Sequence, residues 1–390
     1  MRFVLGLLLV VVARAAAGPE PGDPGTPEYD KAAKLVQQLG AARFAVREEA
    51  AKQLLKMRGT AVAAVLAGTR SEDEEVRTRC AAILPRVRAA DWRARAEAFL
   101  ADPDGYKADP RLFAEYEKAV GKLDAGSRKL FAEMVRADID LMALAVASAD
   151  GIPELVHKRC ETMLRPNAHG QVPVRATIGQ LAVVFFADER GRPERASVRD
   201  AIHPAFQLGN PGLADGMAAA DTGPALRRLI VHWAARRPEH DRESHHSFAL
   251  AAGAGPIPEA VPVLTKLAKD ADSDIRRVRV PAVWALGRIG SPDAQAALKG
   301  LAVDPTLVDV GAPKGICTLG DCALAALAET KGQKPTDLGM VPGARGLGLK
   351  PTAGAAVVKP VYGFPEEEAR QEARKKLAGD PETATPKTGK

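Results

Sequence analysis

Three segments of the chain repeat one another, and the repeat limits what the chain can fold into. Val46-Arg47 opens the first at 46–54, Val76-Arg77 the second at 76–84, and Val278-Arg279 the third at 278–286. Each copy places a small residue four positions after its Val (Ala50, Cys80, Ala282) and a Leu eight positions after it (Leu54, Leu84, Leu286). Leu319 to Leu327 is a degenerate fourth copy. In the second copy Val76, Cys80, Ile83, Leu84 and Val87 fall at i, i+4, i+7, i+8 and i+11. A strand would split that set between two faces, whereas a helix gathers it into one apolar stripe. Such a helix cannot bury its stripe alone, so the copies must stack on one another.

The composition agrees. Aromatic residues are 4% of the 390, while Gly and Pro number 35 and 29. This excludes a sandwich built from aromatic and β-branched strands, and fits short Ala- and Leu-rich helices separated by many turns. Apolar residues make up 46%, so wholesale disorder is excluded. The net charge of +6 is spread along the chain and includes Arg2 and Arg14 of the N-terminal segment. A small, dispersed surplus disfavours nucleic acid as a partner.

The best copy runs from Asp274 to Ala294, with Val278, Arg279, Ala282, Ala285, Leu286, Gly287, Ile289 and Gly290 in register. It resembles HEAT repeats of the phycobilisome-lyase type, and the resemblance covers 40–88 and 256–330. Phe44 to Leu55, and Asp321 to Ala325 continuing to Gly339, give the whole chain a further similarity to exported HEAT-repeat proteins of planctomycete-type bacteria. The fold this implies is all-α, an α-α superhelix (a HEAT/armadillo-like solenoid) with flexible N- and C-terminal segments. The resemblance also implies that Asp274 pairs with Arg279. Pro281 stands where the pattern has Ala, and a kink is expected there.

The expected organisation is a signal peptide at 1–17, a linker at 18–30 and HEAT-like helices at 31–90. An irregular helical middle follows at 91–255, then HEAT-like repeats at 256–330 and a largely disordered Gly/Pro/Lys-rich tail at 331–390. In the middle, apolar residues at helical spacing predict helices around Leu130–Val135, Val174–Phe185, Val198–Phe206 and Leu226–Trp233. Leu181 to Ala187 also has strand propensity, and its helical neighbours favour a buried helix. Expected N-caps are Ser71 (with Glu74 as a capping box), Ser127, Ser197 and Ser291. Glu366 to Leu377, acidic first and basic last, suits a short helix that is either solvated or docked.

Met1-Arg2, an apolar run from Phe3 to Ala13 and Ala15-Ala16-Ala17 are the parts of a secretory signal cleaved after Ala17. No later stretch reaches the apolar length of a membrane span. In an oxidising compartment Cys317 and Cys322 could pair, while Cys80 reads as a buried small hydrophobe.

No motif carries a reaction, and no cofactor is implied. Asp270, Asp272 and Asp274 lack the Gly and Glu of a calcium loop, since Ile275 and Pro281 occupy those places. Gly343, Gly346 and Gly348 do not join a strand to a helix, so they make no phosphate cradle. His240, His245 and His246 form the one histidine cluster, without the i, i+4 spacing of metal ligands, and read as an exposed polar loop. Arg227, Arg228, Arg236, Arg237, Arg276 and Arg277 are pairs that could meet an anionic partner, or else solvated helix flanks.

The expected function is an exported scaffold that binds a protein or peptide without catalysis. The alternatives are a ligand-binding or lyase-like enzyme on the same repeats and a binder of anionic envelope polymer or nucleic acid. N-terminal sequencing of the protein recovered from cells that export it should read Gly18-Pro19-Glu20. A chain still starting at Met1 would identify an uncleaved anchor instead.

Overall fold

The computed structural model describes residues 22–103, 109–148, 150–164, 176–191, 208–309, 317–342, 347–349, 357–359 and 361–378. The expected signal peptide, the helix at Val198–Phe206 with its Ser197 cap, Val174, Gly343 and Gly346, and the last residues after 378 lie outside the described residues. Among the described residues there are sixteen α-helices and three two-stranded antiparallel ribbons, so the chain is all-α. It divides into two compact units, 1–115 with 138–152, and 116–137 with 153–390.

The first unit begins with α1 (Pro27–Gln38), α2 (Phe44–Met57), α3 (Gly59–Gly68) and α4 (Glu74–Ala101). Helix α1 packs on α3 and α2 on α4, and two helical hairpins thereby stack in two layers. The repeat copies at Val46 and Val76 lie on α2 and α4, the second helix of each hairpin. Ala50, Leu54, Val76, Cys80, Ile83, Leu84 and Val87 are all buried in one cluster with α1 and α3. Helix α4 runs through the expected boundary at 90 without interruption. Its N-cap also differs from the expected Ser71. Asp73 accepts from Val76 N (3.1 Å) while Ser71 Oγ accepts from Asp73 N, because a carboxylate two residues closer reaches the first turn.

Helix α5 (Pro110–Val120) and helix α6 (Ala125–Ala147) follow. Asp124, not Ser127, caps α6, accepting from Ser127 N (2.8 Å), and the Ser127 hydroxyl turns back to donate to Lys122 O and to Asp124. The α6 backbone leaves helical geometry at Asp138 (φ −159°, ψ 81°), where the carboxylate accepts from Leu141 N (3.0 Å) and starts the second half as an N-cap does.

The second unit continues with α7 (Ile152–Leu164), α8 (Ile178–Arg190), α9 (Pro211–Ala218), α10 (Gly223–Ala235), α11 (Arg242–Ala254) and α12 (Val261–Lys269). Residues Leu181 to Ala187 are helical and wholly buried in α8, which starts at a Thr177–Gln180 capping box. Propensity for a strand loses here to burial on every side, with Phe185 edge-on to Trp233 of α10 at 5.1 Å.

After a π-helical turn at Ile275–Arg279 come α13 (Val280–Ile289) and α14 (Pro292–Leu301), the latter capped by Ser291 as expected. Then follow β1 (Leu307–Asp309), β2 (Cys317–Thr318) and α15 (Leu319–Thr330). Helices α11, α13 and α15 form one layer, and α12 packs on α14 in the other. Pro281 does not kink a helix. The chain makes the wide turn first, Arg279 N bonding Asp274 O at 3.2 Å, and starts α13 so that Pro281 sits in its first turn, where its fixed φ suits the helix. Close approach between these helices requires glycine at two places. A Cβ on Gly253 would fall 2.0 Å from the Trp284 ring, and one on Gly287 would fall 2.8 Å from Ala326 Cβ.

The repeat arginine holds each hairpin closed. Arg47 donates to Ala41 O (2.8 Å) and Ala42 O (3.0 Å), and Arg77 donates to Ser71 O (2.8 Å). Arg279, 3% exposed, donates to Ala268 O (2.8 Å). In all three Val-Arg copies the guanidinium reaches back to carbonyls at the end of the preceding helix or in the loop after it. Two copies also reach forward: Arg47 meets Glu75 at 3.4 Å, and Arg279 binds Asp304 at 2.7 Å. The expected Asp274–Arg279 pair is therefore replaced. Asp274 caps Arg276 N and Arg277 N, and Asp304 from the following loop takes Arg279. Burial raises the Asp304 pKa, but the Thr306 and Arg279 bonds outweigh it and the net shift is downward.

The segment read as a loose tail is ordered in part. A 3₁₀ turn (Pro335–Leu338) leads to β3 (Val341–Pro342), β4 (Leu347–Leu349), β5 (Val357–Lys359), β6 (Tyr362–Gly363) and α16 (Glu367–Ala378); β3 pairs with β6 and β4 with β5. Helix α16 has little apolar surface and docks through charge. Arg370 forks onto the fully buried Asp321 carboxylate (2.9 and 3.2 Å), Arg374 donates to Ala302 O (3.0 Å), and Ala373 and Leu377 are buried beneath. Of the two forms expected for this helix, solvated or docked, the chain adopts the docked one.

Replacing Arg279 by Met should cost about 3 kcal/mol, the range for removing one partner of a buried pair, read as a lower urea midpoint. Arg279→Lys should recover part of the loss, since one ammonium cannot span Ala268 O and Asp304 together. An Arg279→Met protein as stable as the parent would refute the clamp.

Candidate functional site

Of the six arginines singled out in the sequence as partner contacts or solvated flanks, most serve the fold. Arg227 of α10 forks onto Glu259 (2.9 and 3.1 Å) and donates to Met217 O (2.7 Å). Arg228 donates to Val120 O (2.6 Å), Asp124 (3.2 Å) and Ser127 Oγ (3.1 Å), tying α10 to the turn before α6. Burial lifts the Asp124 pKa, but the Ser127 bonds, Lys122 and Arg228 bring it down well below the usual carboxylate range.

Arg237 is buried against Asp188 (2.8 Å) and lies over the Trp233 ring at 5.2 Å. The same Asp188 accepts from Trp233 Nε1 (2.6 Å). Arg236 pairs with Glu189, whose pKa is raised by burial but lowered on balance by His232 and Arg236. Arg276 donates to Val308 O (2.9 Å). Arg277 is mostly exposed, 3.7 Å from Glu243.

The three histidines do not converge. His240 is exposed. His245 points into the interior at 5% exposure, with Nδ1 lacking a partner. His246 turns outward and its Nδ1 meets Arg277 O. That carbonyl is the one a helical residue 281 would bond, and Pro281 has no N–H to offer it, so His246 fills the gap as donor. Among the described residues no group of three His, Cys, Asp or Glu side chains could hold a metal ion. The aspartates of the 270–274 turn serve the turn itself: Asp270 accepts from Asp272 N (3.1 Å) and from the Ser273 hydroxyl (2.6 Å).

The concave feature of interest lies in the first unit and was not legible in the sequence. A shallow depression on α4 is lined by Arg58, Ala90, Arg93, Ala94 and Glu97. Ala90 and Ala94 leave room for it, one turn apart on the same face. Arg93 is held by Glu97 (3.1 Å) and Asp140. Arg58 is exposed and has no ion-pair partner among the described residues. Its backbone is held at φ 52°, ψ −126°, a region that only glycine occupies without strain. The joint is tight because Gly59 lies directly against Asp91, where a Cβ would come within 2.2 Å of the carboxylate. Phe44, 63% exposed under the Arg47 guanidinium, is the largest exposed apolar side chain among the described residues of the same unit.

Residues 219–310 match the family of HEAT repeats. The match spans α10 to α14, so it takes in the α10–α11 pair that the sequence reading left in the irregular middle. Among solved structures, human deoxyhypusine hydroxylase in complex with glycerol is similar at 14% identity and a TM-score of 0.22, over 78% of this chain and 98% of that one. Similarity at that level carries no weight for fold or activity. No curated protein matches the chain.

His245 gives the second unit a pH dependence. Burial lowers its pKa below 6.5; Asp241 and Asp270 oppose the shift, and Lys266 and Arg237 add to it. Above 6.5 the imidazole is neutral folded or unfolded and costs nothing. As pH falls below 6.5 the unfolded chain takes up the proton first, so stability drops until the folded-state pKa is passed. The urea midpoint should therefore fall between pH 7.5 and 5.5, and less steeply in His245→Leu. Equal slopes in the two proteins would exclude His245 as the cause.

Proposed function

We propose that this chain, a HEAT-repeat protein, is an exported scaffold that binds a protein or peptide partner and has no catalytic role. Stacked helical hairpins present long rows of exposed side chains on a rigid frame, which suits extended contact with another chain. The observation that carries the reading is Arg58. Most of the other arginines considered above are tied to carbonyls or carboxylates of the chain, while Arg58, without an ion-pair partner among the described residues, stands at the lip of a depression in a strained backbone. Strain of this kind persists where surrounding structure enforces it and is concentrated at binding positions. Two arginines, one glutamate and two alanines in that depression favour an acidic side chain from the partner, seated against Arg58 and Arg93. Export rests on the N-terminal sequence pattern. No described helix is long and apolar enough to cross a membrane.

Crosslinking and mass spectrometry of the full-length protein in its own cells should place partner crosslinks near residues 58–97. Arg58→Gly separates binding from stability. Glycine relieves the backbone strain, so unfolding free energy should rise by about 1 kcal/mol, while capture of the crosslinked partner weakens. Unchanged capture by Arg58→Gly would remove the depression from the interface, and an absence of any specific crosslinked partner would overturn the scaffold reading.

A further inference from the structure

Of the four cysteines, Cys80 and Cys160 are enclosed singly, and burial pushes their thiols up to about 11 and about 12. Cys317 and Cys322 are different. Cys317 opens the two-residue strand β2, Thr318 ends it and is the N-cap of α15, and Cys322 lies in the first turn of that helix. The strand-to-helix corner folds the two side chains together, leaving the sulfurs 3.8 Å apart. Cys317 is buried, whereas Cys322 retains some exposure to solvent. Cys317 Sγ also donates to Tyr362 O (3.1 Å), the carbonyl of β6 just before the docked helix α16.

We propose that Cys317 and Cys322 are a redox-modification site, closing to an intramolecular disulfide in exchange with a small-molecule disulfide oxidant. The thiolate of Cys322, the more reachable of the two, attacks one sulfur of the oxidant; its S–S bond breaks and one oxidant thiol leaves. Cys317 thiolate then attacks the Cys322 sulfur of the mixed disulfide and expels the second oxidant thiol. Two protein S–H groups are oxidised, one disulfide is reduced to two thiols, and the two thiol protons end on the departing thiolates.

The hydrogen bond with Cys317 first, then burial and the nearby charges of Cys317 and Asp321, hold the Cys322 thiol up, so the exchange is slow at neutral pH and accelerates as pH rises. The closed form has no S–H to give Tyr362 O. Oxidation therefore ties β2 to α15 while releasing the hydrogen bond that reaches β6.

The test uses the full-length protein, folded, incubated with oxidised glutathione and then blocked with N-ethylmaleimide. Both cysteines fall in one tryptic peptide, 315–331. Expected is a peptide two hydrogens lighter than the dithiol, carrying neither maleimide nor glutathione, which regains two alkylatable thiols on reduction. Cys80 and Cys160 should stay thiols and react only after denaturation. Two maleimides on the peptide, or a glutathione adduct on Cys322 that never resolves, would overturn the proposal. Amide hydrogen exchange at 361–364 should quicken on oxidation, and Cys317→Ala should show the same quickening with no disulfide. Exchange that is unchanged in the oxidised protein would refute the link to β6.

Discussion

The arginine after the repeat valine is the interaction that closes each of the three hairpins that carry it. Two antiparallel helices joined by a short loop leave the last carbonyls of the first helix and those of the loop without backbone partners. At Ala268 O the carbonyl is buried, so water cannot serve it there. Arg47, Arg77 and Arg279 each extend a guanidinium back over that loop and donate to its carbonyls. Five donors in a planar fork allow the same group to meet a carboxylate from the next hairpin, as Arg279 does with Asp304. One side chain thus sets the hairpin's closure and its register against the next.

A stack of hairpins has an end, and an uncovered last helix would expose its apolar face. Here the end is closed by a short charged helix that would not be stable alone. Asp321 completes a capping box with Thr318 and is buried as it does so, which leaves a carboxylate inside the protein requiring a cation. Arg370 supplies it from 49 residues further on. Cap formation at the start of α15 and docking of α16 are therefore one event, and the Cys317–Tyr362 hydrogen bond lies beside it.

Residues at helical spacing were legible because the information is local. The stripe from Val76 to Val87 and the face of Leu226, Leu229, Ile230 and Trp233 follow from the period of the apolar residues, Leu181–Ala187 follows from its helical neighbours, and all are buried. Caps were legible to within two or three residues: Ser291 serves as expected, while Asp73 and Asp124 replace Ser71 and Ser127, each carboxylate accepting from the amide three residues on. Charged side chains were not legible. Arg227 and Arg228 look alike in sequence, yet one reaches Glu259 and the other Val120 and Asp124. The depression beside Arg58 escaped notice for a related reason, since it arises from backbone strain and from two alanines whose neighbours become known only after α3 and α4 pack.

By itself the sequence determined that the chain is helical, where most helices lie, which faces are apolar and that the copies must stack. Those are consequences of periodicity and of short-range capping, which act within a few residues. Tertiary structure alone decided what the charges do: that Asp304 rather than Asp274 takes Arg279, that a proline's missing N–H is answered by His246, and that a charged tail helix docks on a buried aspartate. An ion pair forms wherever packing brings opposite charges together out of water, and the 25 residues between Arg279 and Asp304 leave no trace of that meeting in the linear order.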